Sequence, residues 1–488
     1  MNEAIRALEP HTIWNYFADL NAIPRASKKE QRIAAFAKEF GEQLGLDTQI
    51  DENLNVLIKK PATDGMESRA TIVLQGHLDM VHQKNSDVQF DFDTQGIHMY
   101  VDGDWVKARG TTLGADNGIG VASILTLLAS SDIPHPAIEA LFTIDEETGM
   151  TGAKTLHPDW LSGKILLNLD TEDDDELTIG CAGGIDVTAS GTYPLVHHEG
   201  MKCYQVSVKG LTGGHSGVDI HLGRANANKL MNRILFALTQ KAHIYICSIQ
   251  GGSLRNAIPR ESVAIFKAND ADKSRIEEVI NQLTDICKGE FSVTDPNLNI
   301  EWHEVASEHE CADDGFIQTF LRCIYACPDG IYRMTPGIEG LVQSSNNISK
   351  VTLADGKFQV QNLTRSSVDS EKMDLAQSIS AAMELCGATV ELDGEYPGWK
   401  PEPEAPIIRV MSDLYQELFH EKAHVNAIHA GLECGIIGAH YPGMQMISFG
   451  PNIYGPHSPD ERVQISSVQK FWKFVLEILK RIPEKAAV

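Results

Sequence analysis

The chain has 488 residues, 42% hydrophobic and 22% charged, enough to bury a large core and to divide into at least two domains. A formal net charge of −26 opposes binding to nucleic acid or anionic membrane surfaces, and no apolar run approaches the roughly 20 residues that a bilayer-spanning helix needs. Nine cysteines, an odd number without repeating spacing, argue for reduced thiols rather than a disulfide framework, and the close pair Cys323 and Cys327 lacks a second pair to complete four zinc ligands.

Residues 1–20 have neither the basic nor the apolar segment of a secretory signal, so a cytoplasmic protein is expected. A helical N-terminal pattern leads into the β-like NVLIKK of residues 55–60. ATIVLQGHLDM at 70–80 then sets a wholly apolar strand directly before a polar His-x-Asp. After the Gly-rich turn TTLGADNG (111–118), GIGVASILTLLAS (118–130) predicts a buried helix. Two more strands end in acidic residues: ALFTI before DEETG (145–149), and KILLNLD (164–170) before TEDDDE (171–176). This βαβ rhythm predicts an α/β fold with a mostly parallel sheet flanked by helices, in which ligands gather beyond the carboxyl ends of the strands.

The texture changes near GCAGG (180–184). CYQVSVKG (203–210) and ESVAIFKAND (261–270) alternate like half-buried strands, while residues 223–238 and 273–289 carry helical periodicity. The tail reverts to the first texture, with a helix near 405–419, a strand MQMISFG (444–450), the loop PNIYGPHSPDE (451–461) and a closing helix. The expected organisation is a catalytic domain of residues 1–185 and 397–488 with an α+β domain, 186–396, inserted in it. The insertion is long enough for two α+β units, although no repeat is visible.

Five segments offer metal-compatible groups: His77 and Asp79 in GHLDM, Asp116 in LGADNG, Glu146 and Glu147 in DEETG, Asp170 in NLDTED, and His457 in GPHSPDE. Singly each is weak, since a lone strand-end histidine is more often structural and an acidic loop is usually just solvated. As an ordered set they resemble the di-zinc exopeptidases, the family of carnosinases, tripeptidases and acylamino-acid deacylases. GMESR, QGHLDMVHQKN, DGDWVKARGTTLGADNGIG, CAGGID, GGHSG, GGSLRNAIPRE, HAGLECG and GPHSPDE extend the resemblance over nearly the whole chain to the aminoacyl-histidine dipeptidase branch. TEDDDE departs from that branch, which often has a shorter acidic segment.

That resemblance implies a di-zinc exopeptidase catalytic domain with an inserted α+β lid domain, acting on dipeptides such as β-alanyl-histidine. It implies two Zn2+ per chain, replaceable by Co2+ or Mn2+, with His77, Glu147, Asp170 and His457 as ligands and Asp116 bridging. Glu146 would be the general base and Asp79 would orient the His77 imidazole. His215 in GGHSG would be the lid histidine that hydrogen-bonds the carbonyl oxygen as charge develops. Asn256, Arg365 and Gly431 would contact substrate, the arginine through the free carboxylate. A cis Asp116–Asn117 peptide and a homodimer are also implied. A deacylase on the same fold, or a non-catalytic binding module, are the competing readings; intact ligands beside a general base weigh against the module.

Overall fold

The apolar run before His77 folds as the strand Ile72–His77, buried at all six positions, as expected of a strand covered on both faces. The computed structural model describes residues 2–306 and 310–485. Two further buried strands, Ile138–Thr143 and Ile165–Asn168, pair with Ile72–His77 in parallel, and Gln445–Ser448 continues the parallel run beside Ile165–Asn168. These four form the centre of an eight-stranded sheet. Val56–Lys60 and then Asp47–Ile50 extend it antiparallel on one side. On the other lie Glu176–Cys181, antiparallel to Gln445–Ser448, and His424–Ile428. The sheet is therefore parallel where the site residues emerge, with antiparallel pairings at Asp47–Ile50, Val56–Lys60 and between Gln445–Ser448 and Glu176–Cys181.

The helix of residues Ala115–Ala129 packs against Ile72–His77 and the helix His11–Ala22, and nearly every side chain from Asn117 to Leu128 is buried. A helix apolar on all sides is one the fold must enclose. Its first residues are not helical: Asp116 and Asn117 have extended or irregular backbone, and the peptide between them is cis. The regular helix thus begins near Gly118, where the sequence pattern placed it. A separate antiparallel sheet joins Met99–Asp102, Trp105–Ala108, Arg462–Gln464 and Ile453–Tyr454, so residues 455–461 form a hairpin loop.

The chain forms two compact units. One comprises Met1–Gly180, Pro401–Ala427 and Leu432–Val488, the other Cys181–Lys400 with Ile428–Gly431. The second unit is built on one nine-stranded sheet, antiparallel in each of its registered pairs. The helices Ala227–Lys241, Lys273–Glu290, Asp314–Ala326 and Asp369–Glu384 bury residues such as Ile234, Leu235, Phe320 and Ile379 in its apolar core. Cys323 lies on the third of these helices and Cys327 caps it. Among the described residues no helix is long and apolar enough to cross a membrane.

Candidate active site

His77 closes its strand, and Asp170 follows Ile165–Asn168 by two residues. Glu146 and Glu147 lie on the turn after Ile138–Thr143, Asp116 precedes the buried helix, and His457 sits in the 455–461 hairpin loop. The parallel strands deliver these groups to one end of the sheet. His77 Nε2 lies 3.1 Å from Asp116 Oδ1 and 3.4 Å from Asp170 Oδ1. His457 Nε2 lies 3.3 Å from Asp116 Oδ2 and 2.9 Å from Glu147 Oε2. Asp116 therefore presents one oxygen to each imidazole. Three overlapping groups have ligand atoms within 4.8 Å of one another: His77, Asp116 and Asp170; Asp116, Glu147 and His457; His77, Glu146 and Glu147.

Asp79 stands behind these groups. It is fully buried; Oδ1 lies 3.4 Å from His77 Nδ1, and its two oxygens accept the backbone N–H groups of Glu146 and Glu147 at 3.0 and 3.3 Å. Ser27 donates to it at 2.8 Å. One carboxylate thus fixes both the strand-end imidazole and the turn carrying the two glutamates.

Acidic groups outnumber basic ones here, and burial makes that costly. Burial, with Asp116 and Glu147 adding to it, pushes Asp170 up to about 6. Burial lifts Glu146 well above the usual carboxylate range, helped by Asp170, Glu433 and Glu147. Burial opposes ionisation of Asp116 too, but the His457 and His77 imidazoles hold that carboxyl below its ordinary range. Bonds to Asp116 and Glu147 raise His457 to about 11. Among the described residues, buried Glu147 Oε1 and Asp170 Oδ1 have no hydrogen-bond partner. Crowded carboxylates with uncommitted oxygens beside two imidazoles make a donor set suited to divalent cations.

The other sequence-identified residues lie in the second unit. Gly214–His215 pairs with Ala257–Ile258, and Ser216 N–H donates to the Asn256 carbonyl at 2.8 Å. His215 Nδ1 accepts the N–H groups of Gly217 and Val218 at 3.1 and 3.0 Å. Burial and the neighbouring Arg365 lower its pKa. With Nδ1 accepting both amides, the ring carries its proton on Nε2, a hydrogen-bond donor. A side chain on Gly217 would stand 2.1 Å from the His429 carbonyl, 3.1 Å from His215 Cε1 and 3.2 Å from Arg365 Nε, so only glycine lets these groups converge. Arg365 is 4% exposed; it donates to the Tyr396 hydroxyl at 2.7 Å, and among the described residues its Nε has no hydrogen-bond partner. Gly431 ends the short segment Ile428–Gly431, whose Ala430 carbonyl accepts from Ala182 N–H at 3.0 Å.

The motif reading missed three buried residues around the first site. Arg25 donates to the carbonyls of Leu78 and Asp79 at 3.1 and 3.0 Å and of Gly114 at 2.5 Å, and nothing in its local sequence announces it. Glu433, within HAGLECG, accepts from Gln75 and Thr143, both at 2.7 Å. Glu461, within GPHSPDE, accepts from four consecutive backbone amides.

A family model described as peptidase family M20/M25/M40 matches residues 73–481. The chain belongs to this family. It is accordingly an enzyme, a peptidase. It is 41% identical over 485 residues to the cytosol non-specific dipeptidase of Escherichia coli K12, covering 98% of this chain and 99% of that protein. Among solved structures it is similar to the aminoacylhistidine dipeptidase of Vibrio alginolyticus, with TM-score 0.94 and 43% identity over 99% of this chain and 100% of that one. The aminopeptidase PepT of Bacillus cereus shares the fold at TM-score 0.57 and 16% identity, over 97% of this chain and 99% of that one.

Proposed function

We propose that this peptidase is a cytoplasmic dipeptidase that uses two divalent ions, Zn2+ by preference, and accepts Xaa-His dipeptides, β-alanyl-histidine among them. The observation that carries the reading is the convergence of His77, Asp116, Glu147, Asp170 and His457 with buried carboxylate oxygens left unpartnered. Its similarity to two dipeptidases, one non-specific and one for aminoacylhistidines, supports a dipeptide substrate with histidine-containing members inside a wider range.

His77 and Asp170 would hold one ion, Glu147 and His457 the other, and Asp116 would serve both. Ions bound there would polarise the scissile carbonyl and lower the pKa of a coordinated water. Glu146 takes the proton of the attacking water and returns it to the departing amine. Its burial suits that exchange, because a carboxyl whose pKa is raised above the ordinary carboxylate range is a stronger proton acceptor. Asp79 keeps the His77 ring and the glutamate turn in register. His215 Nε2–H supplies the donor for the carbonyl oxygen as negative charge develops, and Arg365 pairs with the free carboxylate of the dipeptide. Asn256 and Gly431 add polar and backbone contacts.

The experiment is release of free histidine from β-alanyl-histidine by the zinc-loaded protein, beside its N-acetylated form and a dipeptide without histidine. Cleavage of both free-amine dipeptides but not the acetylated one is expected, with loss of activity on chelation and recovery on adding Zn2+. Cleavage of the acetylated compound would make the protein a deacylase, and cleavage of the non-histidine dipeptide alone would remove the Xaa-His assignment.

A further inference from the structure

Glu461 is 2% exposed, and its two oxygens divide four donors between them. Oε2 accepts from Leu113 N–H at 2.6 Å and Gly114 N–H at 2.9 Å; Oε1 accepts from Ala115 N–H at 2.7 Å and Asp116 N–H at 3.3 Å. These amides belong to the turn that precedes the regular helix, where no ladder supplies acceptors, and a carboxylate satisfies several of them at once. A side-chain acceptor for such amides ordinarily comes from a residue close in sequence; here Gly114 has left-handed backbone and no side chain, and the acceptor arrives from across the sequence.

Glu461 shares its loop with His457. The loop is braced internally: Ser458 Oγ donates to the Gly455 carbonyl at 2.9 Å, Glu461 N–H donates to the Ser458 carbonyl at 3.1 Å, and Tyr454 pairs with Arg462 where the hairpin closes. The carboxylate that grips the 113–116 backbone therefore also anchors the hairpin loop at a point four residues beyond His457. On the opposite side of the same turn Arg25 takes the Gly114 carbonyl, and through Leu78 and Asp79 it ties the turn to the end of the His77 strand. An anionic side chain holds the amides of this turn, and a cationic one holds its carbonyl.

We propose that Glu461 is a positioning residue of the reaction centre, whose bidentate grip on the amides of residues 113–116 sets Asp116 and His457 opposite each other as a ligand pair. The proposal rests on the assignment of Asp116 and His457 as metal ligands made above. A side chain that only satisfied these amides would have no reason to arise from the loop that carries a ligand. Placed there, it converts two loops far apart in sequence into one preformed half-site, so metal binding need not order them.

The test is titration of the metal-free protein with Zn2+ against a chromophoric competitor, for the parent, E461Q, E461D, D116N and H457A, with circular dichroism to establish folding at the titration temperature. The E461Q amide offers one acceptor oxygen and turns N–H donors toward two backbone N–H groups, while E461D keeps the charge on a stem one methylene shorter. At least one metal equivalent is expected to weaken roughly 10- to 100-fold in E461Q and by less in E461D. With metal in excess, kcat falls while KM stays within about threefold. E461Q that binds both equivalents as tightly as the parent would reduce Glu461 to an acceptor for the turn, and E461Q and E461D that both fail to fold would make it a requirement of the fold, either result overturning the proposal. If D116N and H457A also bind both equivalents normally, the ligand assignment itself is wrong and this proposal goes with it.

Discussion

Glu146 and Glu147 are consecutive, yet the turn gives them separate environments. Glu147 meets His457 at 2.9 Å, whereas Glu146 is lifted well above the usual carboxylate range by burial and by Asp170, Glu433 and Glu147. Their backbone amides are both fixed by Asp79, so removing one side chain leaves the turn in place. Glu146→Gln should therefore lower kcat by about 10²–10⁴-fold, the range for loss of general acid–base help, while the protein keeps both metal equivalents. Elemental analysis alongside kinetics checks this, and loss of a full equivalent would reassign Glu146 as a ligand. His215 is the complementary case. Two amide donors occupy Nδ1, which leaves Nε2–H free to donate, so its contribution should grow as charge builds on the carbonyl oxygen. His215→Ala is expected to reduce kcat by about 10²–10³-fold with KM changed only a few-fold. An effect confined to KM would remove the oxyanion role.

At the scale of elements, the polar cluster depends on how closely the Ala115–Ala129 helix approaches the end of the strand Ile165–Asn168. Asn117 donates to the Leu169 carbonyl at 2.5 Å, and a Cβ on Gly120 would stand 2.3 Å from that oxygen. Helix propensity favours Gly120→Ala by about 1 kcal/mol. The clash is with backbone that cannot rotate away, and overpacking of this kind costs roughly 1–3 kcal/mol, so the substitution should destabilise on balance. Because Leu169 precedes Asp170, metal content should fall together with the thermal midpoint; a G120A protein with raised midpoint and full metal content would show that the helix tolerates the shift. These central elements were legible in the sequence because a covered parallel strand reads as an unbroken apolar run and its end as an abrupt polar residue, as at His77, Glu146 and Asp170. The antiparallel direction of Val56–Lys60 was not, since side-chain pattern carries no strand polarity. The roles of Arg25 and Glu461 were equally hidden, because both act on backbone amides and carbonyls, which every residue possesses.

For the molecule as a whole, the chain enters the second unit twice. Besides Cys181–Lys400, the four residues Ile428–Gly431 pack within it and bring His429, while the residues on either side of them return to the first. No change of composition marks so short an excursion, which explains why the sequence alone grouped it with its neighbours. His429 is 7% exposed, and Ser345 Oγ lies 2.7 Å from its Nε2. Burial lowers its pKa to about 3, reinforced by Arg365 and, more weakly, by His215 and His221, while a bond to the Val342 backbone works the other way. An imidazole kept neutral in the folded state has a defined effect on stability. Above about pH 6.5, the ordinary histidine value, the ring is neutral folded and unfolded, and contributes no pH dependence. Below it the unfolded chain binds a proton that the folded one refuses, so stability is lost as pH falls, at up to about 1.4 kcal/mol per pH unit, until the ring protonates near pH 3 in the folded state. His429→Asn should therefore flatten the acid limb. Between pH 6.5 and 5 the metal-free variant is expected to lose about 2 kcal/mol less than the metal-free parent in urea unfolding, whatever its stability at neutral pH. Parallel acid limbs for the two proteins would mean that His429 takes up its proton in the folded state as readily as in the unfolded one.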